Sequence, residues 1–484
     1  MTIVDEKTTP VREVPAFAKV AVPLIAAVAG VLLLWTSGRY GLGFDELYFL
    51  VAGRDHLDWG YFDQPPLVPL LAGGLGSLFP GSLIAVRLPV TLAAVGGIVL
   101  TALIAREFGG RRGAQAMAAA FYAMSSAITI SHWLGTYTLD PVLWTLILWL
   151  VVRWVRTRRD RLLIWAGVAT AVSLEVKFLV PALWAALILS ALILGPRGLV
   201  RRPALWAGAL IAAVVTIPAL AWQAAHGWAY LRMNDVVAAE FPGVWPFLRD
   251  SALSAGVGVG VLAFLFGLWV LFRSPRLRAY RFLGLATLVV IAAFLVLHGR
   301  SYYLLCLLAV PFAAASVELA AFRWARWKFV WPAFALSAVI SLAALPVYPA
   351  SIVDKMPSSW GVVPLGSAFG KGELEVRQLG EMIAGAYAAL PPEQRAHTAV
   401  YAEIYPFAAA AEYYGSFYVY SGHRGYWYFG PPPESADTVL FAGFDPGPLR
   451  PYFTGTTPLV DGVMWLYTGK TKPWQEIWPA LRTQ

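Results

Sequence analysis

Apolar residues in this chain fall into long runs separated by short polar breaks. A membrane span takes roughly 20 apolar residues. Runs of that order lie at about 18–36, 83–105, 113–131, 140–155, 162–174, 178–194, 203–222, 251–272, 282–297, 303–321 and 329–347, so eleven spans are predicted. Taken as one helix, 162–194 would be about 50 Å long at ~1.5 Å per residue, too long for a ~30 Å hydrocarbon core. It is read as a hairpin with Glu175 and Lys177 at the turn. Two stretches break the pattern. Residues 37–82 are too long for a simple connection. They carry the amphipathic segments "DELYFLVAGRDHL" and "PPLVPLLAGGLGSLF", which predict helices lying at the interface as a lid or cavity wall. After residue 347 the runs shorten. "HTAVYAE" (397–403) and "DTVLFAGF" (437–444) predict strands, while 372–390 and 405–415 show helical spacing. The predicted architecture is an α-helical polytopic membrane protein over 1–347, with a long first outer loop at 37–82, followed by a small extracytoplasmic α/β domain over 348–484.

Charge orients these spans. One set of connections carries Arg106, Arg111 and Arg112; then Arg153, Arg156, Arg158, Arg159 and Arg161; then Arg197, Arg201 and Arg202; then Arg273, Arg276, Arg278 and Arg281; and finally Arg323, Arg326 and Lys328. The alternate set has few: Arg39, Arg54, Lys177, Arg232, Arg249 and Arg300. By the positive-inside rule the first set is cytoplasmic. The N-terminus is then inside, while the first loop and the tail are outside. The net charge of +9 is thereby a matter of topology and not of nucleic acid. Composition agrees: 59% of residues are hydrophobic, only 13% are charged, and the 21 Trp and 21 Tyr suit membrane interfaces. The first apolar run lacks a signal peptide's layout and is expected to be a retained span. The single cysteine, Cys306, lies in an apolar run and permits no intrachain disulfide. The cytoplasmic loops are too short for a nucleotide-binding domain.

Candidate chemistry gathers on the outer side. The first loop concentrates Asp45, Glu46, Asp55, Asp58 and Asp63. Taken singly, Asp45 reads as the N-cap of the helix that follows, and Glu46 as a complement to its dipole. Asp140, in "TYTLDPVLW", and His226, in "WQAAHGWAYLR", lie at two further outer positions. Converging on one cavity, such groups suit a divalent cation (Mg, Mn or Zn) or a general base. Lys177 and Arg300, the latter followed by Tyr302 and Tyr303, sit at outer span ends. Snorkelling to headgroups is their ordinary role; a clamp for a lipid-borne phosphate is the sharper one.

The stretches "GFDELYF…GYFDQPPLVPLL", "TLDPVLW", "VKFLVPAL", "HGRSYYLL" and "VYSGHRGYWYFGPPP" carry a family resemblance. The chain resembles the GT-C glycosyltransferases that use polyprenyl-phosphate sugars, a group including protein O-mannosyltransferases, the lipid A aminoarabinose transferase and the Rgt-type transferases. The resemblance covers the spans almost end to end, plus the tail. It implies that Asp45 is the catalytic Asp of the first loop, with Glu46 its catalytic neighbour. Asp63, before Pro-Pro, falls where some relatives have a metal ligand, Asp140 at the second acidic position, and His226 at a more weakly matched ligand position. Arg300, Tyr302 and Tyr303 match the element that meets the lipid phosphate. Gln64 departs from the pattern: the aminoarabinose enzyme has a phosphate-contacting Lys there and other relatives a His, which gives Lys177 and Arg300 more weight here.

The expected function is therefore transfer of a sugar from a polyprenyl-phosphate donor to a hydroxyl of an envelope glycan, lipid or protein, outside the cytoplasm and with inversion. The other class to weigh is a lipid-carrier flippase or transporter, which places ionisable residues at the midplane of its spans, often on broken helices. Here the charges sit at span ends on one side.

Overall fold

The computed structural model describes residues 14–321, 330–353, 355–356 and 363–483. Arg323, Arg326 and Lys328 of the charge pattern lie outside them. Helices dominate up to residue 343, and a five-stranded sheet sits near the C-terminus.

Among the described residues four helices are long and apolar enough to cross a membrane: Leu83–Glu107, Thr136–Thr157, Pro203–Ala225 and Pro275–Val296. Two bent pairs bring the number to six if each is one crossing. The other predicted spans are shorter or broken helices, so length and apolarity alone do not yield eleven. The run at 113–131 stops as a helix at Ala123 and continues as short turns through His132. The run at 251–272 is preceded by a helix, Val244–Ser254, that meets Val259–Arg273 at 100°. The corner is turned by Gly256 (φ +106°) and Gly258 (φ +81°), in a backbone region that costs a side-chain-bearing residue strain. The run at 303–321 opens as a 3₁₀ segment, Ser301–Leu307, bent 52° from Ala309–Leu319.

The hairpin expected at 162–194 is two helices, Arg161–Val176 and Val180–Leu194, with Lys177 extended between them. Outward-facing Leu24, Val28 and Val31 on the first helix, and Leu210, Val214 and Ile217 on Pro203–Ala225, are more than half exposed. Such apolar stripes suit lipid and are poorly placed against water.

The 37–82 stretch forms both expected helices, Phe44–Asp55 and Leu67–Leu78. In the tail, β1 (Thr398–Ala402), β2 (Val419–Tyr420), β3 (Thr438–Ala442), β4 (Phe453–Val460) and β5 (Met464–Lys470) pair in the order β2-β1-β3-β5-β4. β1 is parallel to β2 and β3, whereas β3, β5 and β4 are antiparallel. β1 and β3 are buried on both faces, which is why they read as unbroken apolar runs. Tyr401, Val439 and Phe441 face Trp474, Ile477 and Trp478. On the opposite face Val400, Ala402 and Leu440 join one apolar cluster with Ala408–Ala411 and with Leu47, Tyr48 and Val51 of the first-loop helix.

The tail thus completes its core with residues made some 350 positions earlier. Residues 348–484 expressed alone lose that cover, and at about 25 cal/mol per Å² of apolar surface the deficit is large for so small a unit. We expect far-ultraviolet circular dichroism and proton NMR to show an unfolded or molten chain. A cooperative, well-dispersed fold would show that the tail needs no partner.

Candidate active site

A cavity of about 510 Å³ opens between the 37–82 loop, nearby helix ends and the tail. Its wall includes Asp45, Asp63, Gln64, Lys177, Arg300, Tyr302 and Tyr303, residues from three widely separated parts of the sequence. Of the sequence-derived candidates these seven share one space, and Glu46, Asp140 and His226 do not line it.

Asp45 is not the N-cap that its position alone suggested. Gly43 holds that place, and Glu46 closes the first turn by accepting from the Gly43 N–H at 3.0 Å. Asp45 is freed to face the cavity, where its Oδ1 accepts from the Tyr405 hydroxyl at 2.7 Å. Burial pushes its pKa above the ordinary carboxylate value, against the opposing pull of the Tyr405 hydrogen bond and the charges of Arg300, Arg424 and Lys177. Asp63 Oδ1 accepts from Tyr48 at 3.0 Å. Its pKa is pushed up to about 6, first by burial and then by the nearby Asp45 charge. The tail comes this close because Gly425 leaves room: a Cβ there would stand 2.0 Å from the Tyr48 hydroxyl.

Glu46 is fully buried and fully engaged. Its Oε1 accepts from Arg87 Nε at 3.0 Å and from the Leu134 N–H at 2.8 Å. Its Oε2 accepts from Arg87 Nη2 at 2.6 Å as well as from Gly43. Arg87 also donates to the carbonyls of Ser37 and Gly41, each at 2.8 Å, and to Glu373 of the tail at 3.3 Å. Glu373 Oε1 in turn lies 2.8 Å from His132 Nε2 and accepts from the Trp133 indole. With its lone pairs occupied, Glu46 acts as a positioning residue: it fixes the turn that aims Asp45.

Asp63, Asp140 and His226 are not brought together as a ligand set. Asp140 is buried within the Thr136–Thr157 helix and accepts from Ser173 Oγ at 2.8 Å. His226 stacks on Trp222 with ring centroids 3.9 Å apart, and its Nδ1 donates to the Trp222 carbonyl at 2.8 Å. Among the described residues no group of three or more His, Cys, Asp or Glu side chains converges to hold a metal ion. The trio predicted for that role does not fit it.

The cations do gather. Lys177 Nζ lies 4.3 Å from the ring centre of Tyr303 and 5.2 Å from that of Tyr302, a cation held by aromatic faces. Arg300 Nη1 donates to the Tyr302 hydroxyl at 3.1 Å. Gln64 is 2% exposed, and its amide nitrogen has no hydrogen-bond partner among the described residues. A buried unpaired donor on a cavity wall is costly unless a ligand satisfies it. Two contributors escaped the sequence reading, Tyr405 and Arg424. Both lie in the tail, whose "HRGYWYF" run places an arginine among rings and was the available signal.

Known proteins can now be set beside this geometry. Residues 63–222 match the family described as dolichyl-phosphate-mannose-protein mannosyltransferase. ArnT from Cupriavidus metallidurans, in its crystal structure bound to undecaprenyl phosphate, superposes with a TM-score of 0.58 at 18% identity, over 92% of this chain and 97% of that one. Its apo structure gives 0.60 at 18% identity, over 93% and 98%. The archaeal oligosaccharyltransferase AglB from Archaeoglobus fulgidus aligns more loosely, with a TM-score of 0.48 at 12% identity, over 88% of this chain and 69% of that one. No curated protein matches the chain. Residues 63–222 thus carry the sequence pattern of the dolichyl-phosphate-mannose-protein mannosyltransferases, and nearly the whole chain shares the fold of ArnT.

Proposed function

We propose that the protein transfers a sugar from a polyprenyl-phosphate carrier to a hydroxyl group of an envelope glycan, lipid or protein on the extracytoplasmic face, inverting the anomeric centre. The observation that carries this reading is the division of one cavity. Asp45, a buried carboxylate whose pKa is raised above the ordinary value, shares it with Lys177, Arg300 and the Gln64 amide nitrogen, which has no partner among the described residues. The bound carrier in the ArnT structure supports the lipid side of the reading, and the distribution of arginines supports the face.

The chemistry follows from that division. The acceptor oxygen attacks the anomeric carbon while its proton passes to Asp45. The bond from that carbon to the phosphate oxygen breaks, and its electron pair leaves with the polyprenyl phosphate. The charge that develops on the departing phosphate meets Arg300, Lys177 and the Gln64 N–H, all in place before reaction. Tyr405 holds one oxygen of Asp45 and leaves the other for the acceptor. One displacement at one carbon inverts it.

The test is transfer by purified protein from synthetic polyprenyl-phosphate sugars. Arg300→Ala is expected to lower kcat/KM for the donor on the order of 100-fold, the scale of losing one preorganised contact to developing charge. Arg300→Lys should recover only part, because a point charge cannot reproduce a planar fork. Unchanged donor kinetics in Arg300→Ala would reduce this residue to an ordinary headgroup contact.

A further inference from the structure

Arg300 and Arg424 lie in different parts of the chain, yet both bond to one carboxylate. Arg300 donates to Glu240 Oε2 through Nε at 3.1 Å and again through Nη2. Arg424 Nη2 donates to Glu240 Oε1 at 2.9 Å. The two guanidinium groups therefore grip the two oxygens of a single anion at the cavity wall.

We propose that this paired grip is the seat of the carrier's phosphate, with Arg424 of the tail as its second arm, and that Glu240 is an internal stand-in which the phosphate displaces. The inference rests on the donor assigned above and deepens it. Four observations converge. Carboxylate and phosphate present the same spacing of acceptor oxygens to a guanidinium fork, so a seat built for one accepts the other. Glu240 is the looser partner: its side chain is 42% exposed, against 27% and 19% for the two arginines. It follows the Ala229–Ala239 helix and precedes Gly243 (φ +97°), so it belongs to a connection and not to the packed frame. Arg424 is held at φ +50°, a strained backbone for arginine, and its buried Nε has no partner among the described residues. Strain and an idle buried donor together mark a residue shaped for something beyond the contact it now makes.

Charge balance points the same way. With Glu240 in place, three cations (Lys177, Arg300 and Arg424) face three carboxylates (Asp45, Asp63 and Glu240). Once Glu240 leaves, the cations outnumber the carboxylates and an incoming phosphate finds a positive site. When the carrier departs, Glu240 can return, which keeps the arginines from trapping the product.

The experiment is equilibrium binding of undecaprenyl phosphate to the purified full-length protein in detergent. Glu240→Gln removes the competing charge with little change of shape, and we expect it to bind about 10-fold more tightly than wild type. Arg424→Ala should bind on the order of 10-fold more weakly, with Arg424→Lys between. In the double variant Glu240→Gln, Arg424→Ala, the gain from removing Glu240 should shrink. Thermal unfolding of each variant separates lost binding from lost fold, and Arg424→Lys serves if Arg424→Ala does not accumulate. Tight binding by wild type with equal or weaker binding by Glu240→Gln would overturn the stand-in. Unchanged affinity in Arg424→Lys and Arg424→Ala would overturn the second arm. If neither folded wild type nor folded Glu240→Gln binds the lipid, the donor assignment falls and takes this proposal with it.

Discussion

Asp45→Asn is expected to lose transfer activity by a factor of 100 or more while accumulating and unfolding as wild type does. That is the range for losing a positioned base. The substitution keeps an oxygen for Tyr405 and cannot disturb the helix cap, because Gly43 and Glu46 provide it. Only the proton acceptor is removed. Tyr405→Phe should be milder, since it frees the carboxylate without discharging it. The pH profile supplies a second readout. A base works when deprotonated, so activity rises with pH through the pKa of Asp45, which burial has lifted above the usual carboxylate value. The acidic limb of kcat should therefore lie above that value. Asp63→Asn removes a neighbouring negative charge. It is Asp45 that raises Asp63, so the Asp45 limb should stay close to its wild-type position. A stable Asp45→Asn enzyme with normal turnover would dismiss Asp45 as the base.

Arg87→Ala is expected to prevent stable folding. The guanidinium is completely buried between Glu46 and Glu373, and its loss leaves two carboxylates without their cation. Breaking a buried pair in this way costs about 3–5 kcal/mol, a large share of the roughly 5–15 kcal/mol that holds a domain together. Replacing the whole group with apolar residues of similar volume should cost less than removing Arg87 alone, because no orphan charge remains. Thermal unfolding in detergent decides the matter. A wild-type melting temperature for Arg87→Ala would mean that the network contributes little. Glu46→Gln is expected to fall between, losing some stability and some alignment of Asp45 without abolishing transfer.

Much of the cavity was legible because its residues break the local rule. Carboxylates beside a spanning run, and Lys177 and Arg300 at span ends, stand out against an apolar background, and of these Asp45, Asp63, Lys177 and Arg300 reach the cavity wall. The buried network left a fainter trace. Arg87 interrupts "LIAVRLPV", and an ionised group inside an apolar run signals a partner. The partner itself, Glu373, lies 286 positions away, where no periodicity points to it. Glu240, Arg300 and Arg424 are likewise united only by folding. The strands at 398–402 and 438–442 showed themselves by composition because both faces are covered. The β4–β5 hairpin did not, since β4 is mostly exposed and mixed, although Asp461-Gly462 marks its turn. The bends near 256 and 308 hid inside continuous apolar runs, whose hydropathy does not register a change of direction.

The cluster shared by the first-loop helix and the tail sheet also constrains arithmetic. If the two segments packed into this core lie on one side of a bilayer, any crossings made between residues 55 and 363 must be even in number. Among the described residues the four qualifying helices, and the two bent pairs if each is one crossing, all fall in that interval, and both four and six are even. Any shorter apolar helix there that is counted as a crossing, such as Val180–Leu194 or Pro332–Ala343, obliges a second to be counted with it. Parity is fixed by packing and owes nothing to the arginines.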